Sequence, residues 1–217
     1  MRSAEFNHIP TNQHVLVVGL TGCGKSVLCE HYTAGYQYVV KLDTKDEYSE
    51  RKAEGKTIWR GLTENRDFVA TDNFDDLDDI DTPKIIYRPP FDIQEDVNAM
   101  NDFFHWIFLR GNTVLWVDEL MMIGNASRYP KELGRIATQG RSKNVGLWSC
   151  TQRPSGIPNI IPANTTHFFI YNQSLDADRK KMIANTGQDI VGTNPGKYCF
   201  WYYKVGEEHA TKGKLVL

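Results

Sequence analysis

The chain has 217 residues, 41% of them hydrophobic and 12% aromatic, enough for one α/β domain with a full core. A formal net charge of −2 excludes a surface that attracts nucleic acid as a whole, so any polyanion must meet a local basic patch. The four cysteines, Cys23, Cys29, Cys150 and Cys199, form no CxxC pair and lack metal-ligand spacing, which points to plain thiols in a reducing compartment.

In chain order, "MRSAEFNHIP" lacks the apolar core of a leader. "HVLVVGL" (14–20) predicts a buried strand, followed by a glycine-rich turn and a helix from Lys25 to about Tyr32. "YQYVVKLD" predicts a second strand ending at Asp43. Residues 44–81 read as polar and irregular, with a short strand at 57–59 and an aspartate-rich solvated loop, "TDNFDDLDDID". "KIIYRPP" (84–90) is a strand stopped by prolines. "DIQEDVNAMNDFFHWIFLRG" reads as one amphipathic helix, with Val97, Met100, Phe104, Ile107 and Phe108 at helical spacing. Its "FFHWIFL" run is too short to span a bilayer, so the expectation is a protein without a transmembrane segment, cytoplasmic in location. "TVLWVDEL" is a strand, and residues 131–138 form a helix entered through Pro130. "VGLWSCTQ" and "HFFIYN" are two more strands, and "LDADRKKMIANTG" is a helix stopped by Gly187. "GKYCFWYYKV" and "HATKGKLVL" pair as an antiparallel hairpin. No repeat or linker divides the chain, so residues 1–217 are expected to form a single domain. The alternation predicts a mainly parallel sheet with helices on both faces and the hairpin on one edge.

"GLTGCGKS" matches G-x-x-x-x-G-K-[ST] between a predicted strand and a predicted helix, the context of a phosphate-binding loop. Gly19, Leu20, Thr21, Gly22, Cys23, Gly24, Lys25, Ser26 and Val27 are the expected nucleotide-binding residues. Gly22 and Gly24 permit the torsions that turn backbone N–H groups toward a β-phosphate. Lys25 would reach the β- and γ-oxygens and Ser26 would ligate Mg²⁺. "VLWVDE" predicts a strand beside the first one, with Asp118 at its tip to serve the Mg²⁺ shell and Glu119 to polarise an attacking water. "NVGLWSCTQRP" then predicts a strand next to both, whose terminal Gln152 can donate to a γ-phosphate or orient the water.

Taken together, "GLTGCGKS", "KLDTKDEY", "VLWVDE" and "GRSKNVGLWSCTQRPSGIP" resemble the FtsK/HerA superfamily of DNA-pumping ATPases, from about residue 15 to 172. In style they are similar to the small genome-packaging ATPases of icosahedral viruses with an internal membrane. The resemblance implies a three-layer RecA-like (ASCE) P-loop NTPase. It also implies a homo-oligomeric ring, usually of six, that binds ATP and Mg²⁺ at subunit interfaces and moves double-stranded DNA. Capsid vertex or membrane proteins would be further partners. Arg141 is the expected arginine acting across the interface, with Arg153 and Arg135 as competitors; such a finger contributes about 10³- to 10⁵-fold in rate. The segment "SRYPKELGRIATQGRSKN" carries Arg128, Lys131, Arg135, Arg141 and Lys143, and it is expected to project from the nucleotide-proximal face onto DNA phosphates. Unlike in larger relatives, an added N-terminal barrel, a nuclease-like insertion or a C-terminal winged helix is not recognisable in these residues, and the expectation is a stripped-down motor.

Three other readings compete. A P-loop nucleotide or small-molecule kinase suits the length but needs no water-activating Glu119. A cellular HerA-like translocase shares the motifs. A non-catalytic, ATP-dependent assembly protein would bind without turnover.

Overall fold

The computed structural model describes residues 8–216. Residues 1–7, which carry most of the leader reading, and Leu217 lie outside the described residues. Nine strands form one sheet: β1 (Val15–Val18), β2 (Val39–Leu42), β3 (Val69–Thr71), β4 (Lys84–Tyr87), β5 (Val114–Val117), β6 (Gly146–Thr151), β7 (His167–Ile170), β8 (Cys199–Lys204) and β9 (Thr211–Lys214). Their spatial order is β3-β4-β2-β5-β6-β1-β7-β8-β9. From β3 to β7 every pairing is parallel, and β7-β8 and β8-β9 are antiparallel. The predicted C-terminal hairpin is therefore present on the expected edge.

The helices are α1 (Lys25–Ala34), α2 (Glu47–Ala53), α3 (Phe91–Glu95), α4 (Val97–Arg110), α5 (Lys131–Gln139), α6 (Ile160–Asn164) and α7 (Asp176–Thr186). They cover both faces, which makes the molecule a three-layer α/β fold. Side chains of a strand alternate between faces, and each central strand is buried on both. Val15, Val17, Trp116, Trp148 and Cys150 pack with Leu28 and Cys29 of α1 and Tyr48 of α2. Leu16, Val18, Leu115, Val117 and Leu147 pack on the other side with Phe104 and Ile107 of α4, Leu133 and Ile136 of α5 and Met182 of α7. Among the described residues no helix is long and apolar enough to cross a membrane.

Four local expectations are corrected. First, β5 does not lie beside β1; β6 is inserted between them, pairing with both. Second, residues 57–59 form no strand, and Trp59 instead turns into the core against Trp116, with ring centroids 5.8 Å apart. The segment from 44 to 81 holds α2 and the short edge strand β3. The Asp43 carboxylate nucleates α2 by accepting the N–H groups of Glu47 and Tyr48 at 3.0 and 2.8 Å. Third, the single helix expected across 92–111 is two. Asp96 is extended and its carboxylate accepts the N–H groups of Asn98 and Ala99, capping α4 and ending α3. Fourth, residues 160–164 make the unforeseen helix α6. The aspartate-rich stretch forms one 3₁₀ turn, Phe74–Asp78, capped by Asn73 and anchored by buried Leu77.

Two histidines sit at the strand-entry edge of the sheet. Buried His14 accepts the Leu147 N–H on Nδ1 at 3.0 Å. Buried His167 donates from Nε2 to Gln13, which leaves Nδ1 to accept the Tyr202 hydroxyl at 2.8 Å. Burial drives each ring pKa down to about 4, helped by the Arg141 guanidinium beside His14 and by Lys204 beside His167. Both rings are neutral in the fold and titrate near 6.5 when unfolded, so the unfolded chain binds more protons between those values. The free energy of unfolding should fall as pH is lowered from 6.5 to 4, by on the order of 2–3 kcal/mol per ring. In urea titrations across that window, His14→Asn, which keeps an acceptor for Leu147, should show a shallower loss. An unchanged slope would refute the assignment to His14.

Candidate functional site

The glycine-rich loop is tied down at both flanks. Leaving β1, Gly19 N–H bonds Thr151 O at 3.2 Å, and Leu20 N–H bonds Asn172 O at 3.2 Å, so the loop starts between the ends of β6 and β7. Two glycines are sterically required here. A Cβ on Gly19 would lie 2.5 Å from Tyr171 Cβ; one on Gly24, where φ is 105°, would lie 2.6 Å from Leu215 Cδ2. The second contact comes from the C-terminal hairpin, which thus buttresses the loop. Lys25 opens α1 and is buried; its ammonium folds over the loop, donating to Gly19 O at 2.7 Å and Leu20 O at 3.0 Å.

Beyond the ends of β5 and β6 lies a second group. Asp118 is 2% exposed, and among the described residues neither carboxylate oxygen accepts a hydrogen bond. Glu119 Oε1 accepts the Gln152 N–H at 3.3 Å, while Oε2 is also without a hydrogen bond. Gln152 Oε1 accepts the Thr21 hydroxyl at 2.8 Å, so the strand-end glutamine links the acidic pair to the glycine-rich loop. Lys45, from the turn after β2, holds its Nζ 3.4 Å from Asp118 Oδ2 and 3.6 Å from Glu119 Oε2. Burial works against the charge of Lys45, but the two carboxylates outweigh it and its pKa stands above the usual lysine value.

A third group forms the cavity wall. Glu30 of α1 is fully buried and accepts Arg51 Nη1 at 2.5 Å; Arg51 Nη2 reaches Glu47 Oε1 at 2.5 Å, and Glu47 Oε2 meets Lys41 Nζ at 3.1 Å. Burial pushes the Glu30 carboxyl up, against the pull of Arg51 and Lys41. Lys41 is buried over the Trp116 ring at 4.6 Å; desolvation opposes its charge, yet Asp118, Glu47 and Asp43 hold its pKa above the ordinary value. The network fastens α1, β2 and α2 around an open cavity of about 470 Å³.

Lys25, Ser26, Val27, Asp118 and Gln152 all line that cavity, as do Thr21, Gly22 and Gly24. The three strand ends thus converge on one space. Leu20 and Cys23 lie on the far side of the loop, along a second cavity of about 300 Å³, and Tyr198 borders both. Lys45, Arg51 and Arg60 also line the first cavity and were not singled out from sequence. The only signal for Lys45 was its place inside "KLDTKDEY"; Arg51 and Arg60 carry no motif.

The basic segment does not form one patch at the nucleotide-proximal edge. Exposed Arg128 and Lys131 lie near that edge, where Ala126 N–H bonds Gly156 O just beyond β6. Arg135 lies midway, stacked on the Phe108 ring at 4.0 Å and paired with Glu132 at 3.2 Å. Exposed Arg141 and Lys143 sit before β6 begins, at the opposite edge. The reason is that α5 must carry the chain back across the sheet between two parallel strands. Since β6 is six residues long, Arg141 lies about 20 Å from its own glycine-rich loop. Arg153 is at the near edge, but its Nε donates to the buried carboxylate of Asp178 at 3.0 Å.

No protein-family model and no curated protein sequence matches the chain. Solved structures do. The genome packaging NTPase B204 from Sulfolobus turreted icosahedral virus 2, in complex with ATP-gammaS, matches with a TM-score of 0.69 and 17% identity, covering 96% of this chain and 100% of that one. B204 of Sulfolobus turreted icosahedral virus, described as its DNA-packaging ATPase, matches with a TM-score of 0.69 and 16% identity, covering 96% and 100%. VirB4 of Thermoanaerobacter pseudethanolicus matches with a TM-score of 0.62 and 12% identity, covering 94% and 89%. The chain therefore shares the fold of B204 and VirB4.

Arg51→Met leaves Glu30 buried with Arg60, 3.5 Å away, as its remaining ion-pair partner among the described residues, and with Lys41 acting from further off. Urea denaturation should show a loss of about 3 kcal/mol. Adding Glu30→Leu should restore part of it, because the stranded charge is gone; a purely additive double variant would contradict the pairing.

Proposed function

We propose that this chain hydrolyses ATP within a ring of identical subunits and thereby drives double-stranded DNA, as the motor that packages a viral genome into a preformed capsid. The observation that carries the reading is the convergence of Lys25, Asp118 and Gln152, from three adjacent strand ends, on one cavity. The structural neighbours described as a genome packaging NTPase and a DNA-packaging ATPase support the direction of the reading.

The chemistry follows from the residues. The loop amides and the N-terminus of α1 form an anion cradle for the β-phosphate. Lys25 trades its two carbonyl partners for phosphate oxygens. Ser26 and Asp118 fit a Mg²⁺ ion: among the described residues neither buried oxygen of Asp118 accepts a hydrogen bond, and the charge is met by the Lys45 ammonium, 3.4 Å from Oδ2, a position a divalent cation would suit. When bound, Mg²⁺ would neutralise charge on the β- and γ-oxygens. Glu119 lies one residue on, fixed through Oε1 by the Gln152 N–H, and its Oε2, without a hydrogen bond among the described residues and 3.6 Å from Lys45 Nζ, is suited to accept a proton from the attacking water. Gln152, already joined to Thr21, would sense the γ-phosphate and pass its loss to β6.

Arg141 is too far from its own loop to act in cis, so its role as a finger requires a neighbouring subunit, consistent with ring assembly. Arg128 and Lys131, exposed near the nucleotide edge, are the proposed contacts to DNA phosphates, with Lys143 and Arg135 belonging to other parts of the surface. Such contacts carry no base preference and weaken with salt.

ATPase rates measured with and without duplex DNA test the reading. DNA-stimulated turnover abolished by Lys25→Ala is the expected result; phosphoryl transfer to a small acceptor without DNA stimulation would favour a kinase instead. Glu119→Gln should retain nucleotide binding and lose turnover by about 10²-fold or more; a near-normal rate would remove Glu119 from its role. Arg141→Ala subunits titrated into wild-type protein should depress activity more steeply than their fraction. A linear decline would place Arg141 outside the interface chemistry.

A further inference from the structure

The ammonium of Lys45 stands where a divalent ion would approach Asp118 and Glu119. It is the cation within 4 Å of both carboxylates among the described residues. The turn that presents it is held from three sides. Asp43 is engaged by the N–H groups of Glu47 and Tyr48. The Thr44 hydroxyl donates to Glu119 O at 3.5 Å. Asp46 sits in the left-handed region, at φ 54°, with its carboxylate accepting Arg88 Nη1 at 2.9 Å. The backbone of Lys45 is thus fixed relative to the β5 end, while its side chain remains 38% exposed. It also lines the same cavity as Lys25, so an ammonium leaving the carboxylates has a phosphate-sized space to enter.

We propose that Lys45 is a resident counter-cation of the Asp118–Glu119 pair, exchanged for the metal only when nucleotide arrives, so that metal binding is conditional on nucleotide. This rests on the reading of Asp118 as the metal-facing carboxylate. The physical basis is competition. Two adjacent buried carboxylates need a positive charge. Lys45 supplies it from within the chain at high effective concentration. A bare divalent ion must displace it, and gains few protein ligands in return: among the described residues no three acidic, His or Cys side chains gather to hold a metal. Phosphate oxygens supply the missing ligands to the metal and a new partner to the displaced ammonium. Lys45 is therefore a positioning residue that keeps the pair apart from stray cations between turnovers. By linkage, removing it should tighten metal binding in the absence of nucleotide and weaken the coupling between metal and nucleotide.

The test is a Mn²⁺ titration of the full chain followed by electron paramagnetic resonance, without nucleotide and with the non-hydrolysable analogue AMPPCP. Without nucleotide, Lys45→Met should bind Mn²⁺ about tenfold more tightly than wild type. Lys45→Arg should match wild type, and Lys45→Met/Asp118→Asn should lose the gain. With AMPPCP the difference between wild type and Lys45→Met should shrink. Lys45→Gln provides the same comparison if the Met variant fails to fold. Unchanged or weaker Mn²⁺ binding in the neutral variants overturns the proposal, as does a gain that survives Asp118→Asn. The readout separates the two hypotheses: a gain in Mn²⁺ affinity alongside absent ATP turnover sinks the motor and spares Lys45, whereas DNA-stimulated turnover without the gain does the reverse.

Discussion

The molecule depends on the parallel register of β5, β6 and β1. Val18 stands opposite Thr151, and Val117 opposite Ser149, so the three strands run out within a residue or two of one another. Parallel strands end on the same side, and whatever follows them shares one edge. The glycine-rich loop, the Asp118–Glu119 pair and Gln152 are each the first residues after such an end. Their meeting is a property of sheet geometry before it is one of side-chain chemistry.

That edge concentrates charge in a buried place, and much of the surrounding structure compensates it. Asp118, Glu119 and Glu30 are nearly inaccessible, as are Lys25 and Lys41. Each carboxylate is met by a cation from a different element: Lys45 from the β2–α2 turn, Arg51 from α2. A buried ion pair contributes little net stability, but loss of one partner is expensive. The arrangement therefore fastens α1, α2, β2 and β5 in one relative position around the cavity. Polar links continue from Thr21 through Gln152 to Glu119, so hydrogen bonds join the loop to the acidic pair.

The opposite edge has another character. There His14 and His167 are neutral, hydrogen-bonded and buried, while Arg141 and Lys143 are exposed on the turn before β6. One strand, β6, runs between the turn that carries Arg141 at this edge and Gln152 at the other. It is the most direct covalent path between a cation facing outward and the amide facing the cavity.

Much of this was legible in the residues. Buried parallel strands are continuous apolar runs, so β1, β2, β4, β5, β6 and β7 were each found, and the alternation with helices indicated the three-layer fold. Tight local patterns, the glycine-rich turn and the acids after "VLWV", marked where a cavity would form. What failed were features set by distant contacts. The insertion of β6 between β1 and β5 is a choice of strand order that no local pattern encodes. The turn of Trp59 into the core depends on Trp116, far along the chain. Asp96 reads as one polar residue in a helical run until its carboxylate is seen capping α4. Sequence alone determined where the backbone is free to turn sharply after the first strand and which runs could be strands, because those follow from glycine content and hydrophobicity. Only the tertiary structure decided that Lys45 faces the acidic pair, that Leu215 props Gly24, and that Arg141 lies a full strand length from its own loop, because these are distances between segments and arise only once the sheet is assembled.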